Sequence, residues 1–354
     1  MARVSASEGT QKTNRRTDAT VPTLVDVARR AQVSTATVSR CLNSPERVVE
    51  KTRSRVLEAV KELGYAPNFG AQSLAARRTN TIAAVIPTME NAIFARALQA
   101  FQEELRENGL TLLVASSAYR PELEEEQIRT LIARGADGLL LIGHDRDAAI
   151  YEFLDRRNVP YLVSWSYDTT QPQLSIGFDN RAAMGRLAER VLALGHRRIG
   201  IISAPQQTND RARNRVAGIL GAISARGIDP ATVRIVETPY AINGGGLAFR
   251  KLVQQDPRQT AVMCGNDVLA VGALKMARKM GIGVPEQISL TGFDDIEIAQ
   301  ITTPELTTVQ VPHREMGQRA ARVLVGMLKG EIPGKSVKLE TQIKMRETLA
   351  PPPE

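Results

Sequence analysis

A short run of small and hydroxyl-bearing residues, from Ser34 to Ser39, is followed by an arginine at position 40. Ser34 could cap a helix that begins there, and hydroxyl groups and helix N-termini can approach a phosphate backbone closely. Arg40 lies one turn beyond Ala36 on the same side of such a helix and could pair with guanine through both arms of its guanidinium. Taken alone, the run is as compatible with an ordinary capped surface helix as with a helix that reads DNA.

Positive charge is concentrated in the same part of the chain. Residues 1–80 contain 14 basic and 7 acidic residues, whereas residues 81–354 contain 32 basic and 31 acidic residues. Nearly all of the net charge of +8 therefore lies in the first quarter. This distribution predicts a small nucleic-acid-binding module on a neutral body. The alternative is a solvated basic tail, because Lys12, Arg15 and Arg16 supply part of the excess.

Polar side chains also follow several predicted strands of the body, and doubly wound folds bind ligands just past the C-terminal ends of their strands. These residues are Arg211, Arg213, Arg215, Asn266, Asp267 and Asp294. Carboxylates and amides can accept hydrogen bonds from hydroxyls, and arginine can hold a carboxylate or phosphate. The pattern predicts a small-molecule site. We expect Arg211 and Arg213 to be exposed to solvent and His144 to be a polar surface residue.

Three short helices are expected to position the first of these sets. Thr23 is a candidate N-cap for the first helix, and the second is expected from about Ser34 to Leu42. The third covers residues 50–63 and should stop at Gly64. The expected inward-facing residues are Leu24, Val27, Ala28, Ala31, Val38, Leu42, Val56, Leu57, Val60 and Leu63. Residues 21–66 are therefore predicted to form a small all-α headpiece.

The segments on either side of the headpiece lack such a pattern. Residues 1–20 are polar with almost no large apolar side chains, which predicts a disordered tail. Residues 67–80 are rich in Ala and include one clear aliphatic residue, Leu74. This segment is too short to form a stable isolated helix. We interpret it as a hinge that orders on binding.

From residue 81 onward, apolar β-branched runs alternate with amphipathic helices. The predicted strands are 82–87, 110–115, 138–142, 161–164, 174–177, 198–202, 234–237, 261–264 and 289–293, and the predicted helices include 92–108, 123–134, 182–194 and 214–226. Such strands suit parallel sheets buried on both faces, in doubly wound units with right-handed crossovers. Because the strands are too many for one sheet, residues 81–354 are predicted to form two lobes with a ligand cleft between them.

Composition excludes several other classes of protein. The two cysteines, Cys41 and Cys264, have no paired spacing, which argues against a disulfide framework or a cysteine-based zinc site. No apolar leader region or membrane-length apolar run occurs, so we expect a cytoplasmic protein without a membrane partner. The three histidines are scattered and suggest no metal site, and no cofactor is expected.

Ordered motifs from about residue 22 to the end of the chain resemble the LacI/GalR family of bacterial transcriptional regulators. In the headpiece and hinge they are Thr23-Leu24-Val25-Asp26-Val27-Ala28, Val33-Ser34, Thr37-Val38-Ser39-Arg40, Leu42-Asn43, Thr52-Arg53, Leu63-Gly64-Tyr65 and Pro67-Asn68. In the body they are Leu194-Gly195-His196-Arg197-Arg198-Ile199, Asn266-Asp267, Gly292-Phe293-Asp294-Asp295 and Leu306-Thr307-Thr308-Val309. The resemblance implies a helix-turn-helix headpiece, two doubly wound lobes like those of periplasmic binding proteins, and a DNA-binding repressor controlled by a small effector.

The resemblance also implies roles for individual headpiece residues. Base readers would be Thr35, Ala36 and Arg40; phosphate contacts or supports would be Ser34, Thr37, Ser39 and Asn43; further DNA contacts would be Thr23, Leu24, Tyr65, Asn68 and Ala71. Leu74 matches a hinge leucine that wedges into the minor groove and kinks the DNA; its alternative is packing onto the body. Gln32 stands where the family turn has glycine. If Gln32 is left-handed, this costs about 1 kcal/mol.

For the effector, the resemblance aligns Arg215, Asn266 and Asp294 with recurrent ligand contacts. It places Phe94, Phe178 and Tyr240 where pocket aromatics occur, and Trp165, which follows a strand, could stack on a sugar; core packing is the alternative for all four aromatics. Motifs at residues 119–122 and 176–180 most resemble the gluconate-type branch. The expected effector is therefore a sugar acid or its phosphate, in a regulator of carbohydrate or central carbon metabolism.

Two other functions are weighed against this one. An enzyme is disfavoured because the chain has no GxxxxGK[ST], HExxH or GxSxG motif. A secreted sugar-binding protein would have a signal peptide and no headpiece. A helix-turn-helix protein that reads a palindrome acts as a two-fold dimer, and the terminal Pro351-Pro352-Pro353 cannot form a tetramerising leucine-repeat helix. We therefore predict a homodimer bound to double-stranded operator DNA.

Overall fold

The structure is a computed structural model that describes residues 21–66, 78–90, 92–255, 258–332 and 334–353. The chain divides into two compact units, residues 1–77 and 78–354. The predicted tail at 1–20 and most of the predicted hinge, including Asn68, Ala71 and Leu74, lie outside the described residues. No helix in the described part of the chain is both long and apolar enough to cross a membrane.

Within the described residues 21–66, the first unit has three helices around a small core. Helix α1 spans Leu24–Ala31, α2 spans Thr35–Asn43 and α3 spans Glu50–Leu63, with a 3-10 turn at Pro45–Arg47. The buried core residues are Val27, Ala28, Ala31, Val38, Cys41, Val56 and Ala59. Leu57, predicted to face inward, is 48% exposed. Ala59 is buried instead, because it lies one turn from Val56 on the same face of α3, whereas Leu57 is rotated about 100° away.

Capping interactions define both ends of α1. The Thr23 hydroxyl accepts a hydrogen bond from the Asp26 amide while the Asp26 carboxylate accepts one from the Thr23 amide, which closes a capping box at the start of α1. Gln32 ends α1 in the left-handed region at φ +53°. The Val33 amide then donates to the Ala28 carbonyl at 3.0 Å. A left-handed residue is therefore required at position 32 for the chain to reverse.

The second unit contains two lobes, each with a parallel sheet. Its strands are β1 Thr81–Ile86, β2 Thr111–Ser116, β3 Gly138–Ile142, β4 Tyr161–Ser164, β5 Ser175–Gly177, β6 Ile199–Ser203, β7 Arg234–Glu237, β8 Ala261–Cys264, β9 Ser289–Thr291, β10 Thr308–Gln310, β11 Val337–Lys338 and β12 Gln342–Lys344. The first sheet has the order β11-β5-β4-β3-β1-β2 and the second the order β7-β6-β8-β9. Strands β10 and β12 form a separate antiparallel pair.

Helices cover the faces of these sheets. They are α4 Ala95–Glu107, α5 Pro121–Ala133, α6 Ala148–Arg156, α7 Asn180–Ala193, α8 Asp210–Ala225, α9 Ile242–Val253, α10 Asp267–Lys279, α11 Ile298–Ile301 and α12 His313–Leu328. The chain passes from the first lobe to the second after β5, returns after β10, where α12 packs on α4, and leaves again after β11. The C-terminal ends of both sets of parallel strands therefore carry the loops near these crossovers.

Two helices begin earlier than their apolar periodicity predicts. Helix α8 begins at Asp210 rather than at residue 214, because the Asn209 side chain accepts the Ala212 amide at 3.2 Å. Helix α7 begins at Asn180 rather than at residue 182, because the Asp179 side chain accepts a hydrogen bond from the Ala182 amide at 2.8 Å. An Asn or Asp cap starts a helix in the absence of apolar residues. Arg211, Arg213 and Arg215 consequently lie on α8.

Replacement of Gln32 by glycine tests the strain in the headpiece turn. Gln32→Gly removes the cost of a left-handed side-chain-bearing residue, so we expect α1 and α2 to be stabilised by about 1 kcal/mol. Amide hydrogen exchange of these helices, measured on the full chain, should then slow by about fivefold. The control, Gln32→Ala, keeps a β-carbon and should give no such gain; equal protection in both variants would contradict this account.

Candidate functional site

Helix α2 presents a surface of short side chains and one long cation. Thr35, Ala36 and Arg40 are exposed, whereas Thr37 and Ser39 are half-buried. The Ser34 side chain accepts the Thr37 amide at 3.1 Å, which starts the helix. Its first turn therefore combines unpaired amide groups with small side chains, an arrangement that suits close approach to an anionic backbone.

The remaining predicted DNA contacts support this surface. The amide of Asn43 donates to the Ser39 hydroxyl at 3.2 Å across one turn of α2. Thr23 caps α1, and the side chains of Leu24 and Tyr65 pack partly against the headpiece core. Ser39, Asn43, Leu24 and Tyr65 thus each have a structural contact within the headpiece as well as their predicted role.

Arg40 differs from most arginines of the headpiece. Arg29 pairs with Asp26 at 3.1 Å and Arg30 with Glu62 at 2.6 Å, and Arg53 pairs with Glu50. Within residues 21–66, Arg40 forms no ion pair. Its guanidinium is therefore available to a ligand outside the headpiece.

In the body, the guanidinium of Arg215 is 4% exposed and lies among partners from several loops. Its Nε donates to Asn180 Oδ1 at 2.8 Å, and its Nη1 donates to the Gly265 carbonyl at 2.7 Å. Its Nη2 lies 3.5 Å from Asp294 Oδ1. The ring of Phe293 covers one face, with its centroid 3.7 Å from the guanidinium carbon. These contacts fix the plane of the guanidinium.

Asp294 faces Arg215 from the loop that follows β9. It is buried, and its backbone is left-handed at φ +105°. Burial raises the pKa of its carboxyl to about 6, although Arg215 and Arg211 oppose the shift. Its carbonyl accepts a hydrogen bond from Nε2 of His313 at 3.1 Å. Burial lowers the pKa of His313 to about 4, so its ring is neutral and Nδ1 is an acceptor.

Aromatic residues surround this pair of charges. Trp165 meets Phe94 edge-to-face with ring centroids 5.0 Å apart. Phe178 lies 5.8 Å from Phe293, and it is fully buried in the main core cluster. Tyr119 of the first lobe meets Tyr240 of the second with centroids 5.6 Å apart. The aromatic residues predicted from the sequence therefore lie near Arg215 and Asp294, and each also packs against another ring.

Several buried polar atoms near Arg215 have no hydrogen-bond partner within the described chain. They are Trp165 Nε1, Asn266 Nδ2, Asp294 Oδ2 and His313 Nδ1. The side-chain oxygen of Asn266 is used, since it accepts the Leu269 amide at the start of α10. Two buried donors and two buried acceptors thus lack a partner within the described chain, which costs free energy unless a ligand or water meets them. Hydroxyl groups, which donate and accept, match such a set.

Two expectations from the sequence are wrong. Arg211 is buried rather than exposed, because its Nη1 donates to the Ile142 carbonyl at 3.0 Å and to Asp210 Oδ1 at 2.8 Å. His144 is also buried, and its amide donates to Asp210 Oδ2 at 2.8 Å. Burial lowers the pKa of the His144 ring. Arg213 is exposed as expected, with its side chain paired to Asp145 at 2.7 Å.

The sequence analysis assigned no site role to Asn180, Asp210, Tyr119 or His313. In the structure, Asn180 contacts Arg215, Asp210 contacts Arg211, Tyr119 contacts Tyr240, and His313 contacts Asp294. The motif Phe178-Asp179-Asn180 was visible, but it indicated only a family branch. Asp210 and His313 could have been found from their positions near the ends of β6 and β10, because polar residues after strand ends are site candidates in this fold.

Two regions of the chain match known protein families. Residues 23–68 match bacterial regulatory proteins of the lacI family, and residues 188–349 match a periplasmic binding protein-like domain. The HTH-type transcriptional regulator GntR of Pseudomonas aeruginosa is 33% identical over 329 residues, which cover 92% of this chain and 95% of GntR. The chain belongs to the LacI family of bacterial regulatory proteins. The match to GntR is consistent with the branch predicted from the sequence.

Solved structures of LacI-family proteins share the fold. The lac repressor dimer bound to operator and the anti-inducer ONPF is 27% identical, with a TM-score of 0.81 over 93% of this chain and 99% of that chain. The transcriptional regulator CelR in its cellobiose complex is 31% identical, with a TM-score of 0.67 over 92% and 99% of the two chains. The predicted headpiece and two-lobed body are confirmed. This LacI-family chain is a transcriptional regulator rather than an enzyme, and the secreted-protein alternative is set aside.

The raised pKa of Asp294 gives a test of the site in the ligand-free protein. Its pKa rises from an ordinary value of 3.8 to about 6 on folding, so the folded chain holds this proton more tightly than the unfolded chain. Stability from this group is present at low pH and is lost as pH rises from about 4 to about 6. Asp294→Asn should therefore match the natural protein near pH 4 and exceed its unfolding free energy by about 3 kcal/mol at pH 7. Urea unfolding across this range measures the difference; parallel pH profiles for the two proteins would contradict the assignment.

Proposed function

We propose that this LacI-family protein represses genes of carbohydrate or central carbon metabolism by binding operator DNA as a cytoplasmic homodimer, under the control of a small effector. In this proposal residues 21–66 bind DNA, residues 67–80 form the hinge, and residues 81–354 bind the effector and dimerise. The main supporting observation is that one chain combines two features: an exposed Arg40 on a helix-turn-helix, with no ion pair inside residues 21–66, and a buried Arg215–Asp294 pair among polar atoms that lack partners within the described residues. The lac repressor, whose structure is a dimer bound to operator, is a parallel for this assembly.

In the headpiece, the proposed base readers are Thr35, Ala36 and Arg40. Their exposure on α2 supports this assignment. The proposed phosphate contacts and supports are Thr23, Leu24, Ser34, Thr37, Ser39, Asn43, Tyr65, Asn68 and Ala71, with Leu74 as the minor-groove wedge. Neither Thr35 nor Ala36 can form two hydrogen bonds to one base edge. Arg40 would therefore carry most of the direct readout.

The proposed effector is a sugar acid or its phosphate, bound by Phe94, Trp165, Phe178, Arg215, Tyr240, Asn266 and Asp294. The hydroxyl groups of such a ligand would meet the unsatisfied donors and acceptors near Asp294. Its acidic group would bind Arg215 or Arg211. Arg211 also lines a narrow crevice between the lobes, together with Tyr119 and Ile142.

A neutral polyhydroxy ligand is the second candidate, and charge balance favours it. Arg215 faces Asp294, and Arg211 is paired with Asp210 at 2.8 Å, so each buried cation already has a carboxylate beside it. The acidic group of a sugar acid would therefore meet no net positive charge in the site unless Asp294 took up a proton. CelR, whose structure contains cellobiose, is a relative with a neutral sugar. A thermal-shift screen of sugars, sugar acids and sugar phosphates separates the two candidates by showing which class of compound binds. A hit must also change operator affinity in a gel shift.

The effector site is tested with two arginines of the same helix. Arg215→Ala removes charge-assisted hydrogen bonds to the ligand, so we expect affinity for the screened hit to fall by about 10- to 100-fold. The control, Arg213→Ala, removes an exposed ion pair and should leave the thermal shift intact. Retained operator binding by both variants would show that the headpiece is folded. A normal ligand response in Arg215→Ala would show that the pocket has been placed wrongly.

Base readout is tested by selection of binding sites from random duplex DNA. Arg40→Ala should lose a preference at one base pair of each half-site worth about 1–3 kcal/mol. Arg29→Ala, which removes an exposed cation on α1, should weaken binding without changing the preferred sequence. An unchanged preference in Arg40→Ala would assign the readout to other residues.

A further inference from the structure

One buried amide, that of Asn180, uses both of its polar groups to join the two lobes. Asn180 is the first residue of α7, on the segment that crosses from the first lobe to the second, and it is 2% exposed. Its Nδ2 donates to the Trp165 carbonyl of the first lobe at 2.9 Å. Its Oδ1 accepts from Arg215 Nε of the second lobe at 2.8 Å.

The helix does not need this side chain for its own start. Asp179 is the N-cap of α7 and accepts the Ala182 amide at 2.8 Å. The carboxamide of Asn180 is therefore not needed as the helix cap; apart from a 3.4 Å contact of its Nδ2 with the Phe178 carbonyl, it is used in longer-range contacts. A buried amide whose donor and acceptor are both satisfied orients the groups that it joins.

The segment at Trp165 needs an external support. Trp165 has a left-handed backbone at φ +61°, which costs about 1 kcal/mol for a residue with a bulky side chain. The next residues lie directly against β5: a β-carbon on Gly177 would fall 2.5 Å from the Ser166 carbonyl oxygen. The Tyr167 amide donates to the Phe178 carbonyl at 3.1 Å. The loop is thus pressed against the crossover, and the amide of Asn180 holds the carbonyl at its bend.

On the other side, Arg215 depends on Asn180 for the hydrogen bond that sets its Nε edge. The Gly265 carbonyl and Asp294 hold only the Nη atoms. No ring or hydrogen-bond contact joins Arg215 to Trp165 directly in the described residues; the amide of Asn180 connects them.

We propose that Asn180 is a positioning residue that couples the Trp165 loop of the first lobe to the Arg215 guanidinium of the second, so that a change at either is transmitted to the other. The meaning of this coupling for effector control rests on the proposed function. The coupling itself is independent of any ligand, and it can be measured without one. The coupling through Asn180 can therefore be correct if the effector proposal fails, and the effector proposal can be correct if this coupling is absent.

The chain contains a single tryptophan, so fluorescence reports on Trp165 alone. The probe is acrylamide, which quenches an indole that it can reach. Asn180→Asp keeps the size and the acceptor but places a carboxylate against the Trp165 carbonyl, and Asn180→Ala removes both hydrogen bonds. We expect both variants of the full chain to raise the quenching constant by about threefold or more through local opening of the loop. The control, Asp179→Ala, removes only the cap of the same helix and should leave the constant near that of the natural protein.

The transmission is tested from the arginine. Arg215→Lys keeps the charge and lacks the Nε donor, so it should raise the Trp165 quenching constant when Asn180 is present and have no further effect in Asn180→Ala. Additive effects in this cycle, an unchanged constant in the Asn180 variants, or an equal rise in Asp179→Ala would each overturn the proposal. If Asn180→Ala fails to fold, Asn180→Asp replaces it in the same cycle, because it is nearly isosteric and removes the Nδ2 donor that holds the Trp165 carbonyl.

Discussion

A buried guanidinium is the interaction on which the arrangement of the body depends. A cation in an apolar interior is tolerated only if acceptors surround it. For Arg215 these come from the start of α7, from the turn after β8 and from the loop after β9. Three segments that are distant in sequence must therefore end at fixed positions around one planar group. The doubly wound topology makes this possible, because parallel strands end at the same edge of their sheet.

The same constraint explains why the site contains unfavourable local features. Asp294 and Trp165 both have left-handed backbones, and four polar atoms near them lack partners within the described chain. Such features cost free energy and persist where the surrounding structure holds them. The satisfied hydrogen bonds around Arg215 hold these residues in their unfavourable conformations. The four polar atoms therefore remain available to a ligand. Binding of a polyhydroxy ligand would recover part of this cost.

Local signals made much of the fold predictable. Helix α3 has the predicted bounds, and Gly64 ends it with φ +61°, because apolar spacing and a terminal glycine are both readable in one sequence. The starts of α7 and α8 were misjudged because the periodicity begins after the Asn and Asp caps. The burial of Arg211 and His144 could not be read at all, since it depends on Asp210 and on the Ile142 carbonyl of the other lobe. Of the candidate site, the sequence therefore indicated Arg215 and Asp294, which the structure brings together, but not Asn180 and His313, which contact them.

The chemistry of α2 follows from the small size of its first residues. A threonine and an alanine at positions 35 and 36 let the helix backbone come close to a groove, and their methyl groups can contact a thymine, but they offer little hydrogen-bond discrimination. Discrimination then requires a longer donor on the same side, and Arg40 is one turn away. Its lack of an ion pair within residues 21–66 means that, in the proposed complex with DNA, no ion pair of the headpiece must be broken before it contacts a base. The neighbouring arginines that have carboxylate partners are less suited to base readout. Each would have to break its ion pair before it contacted a base, and breaking that pair adds nothing to sequence specificity.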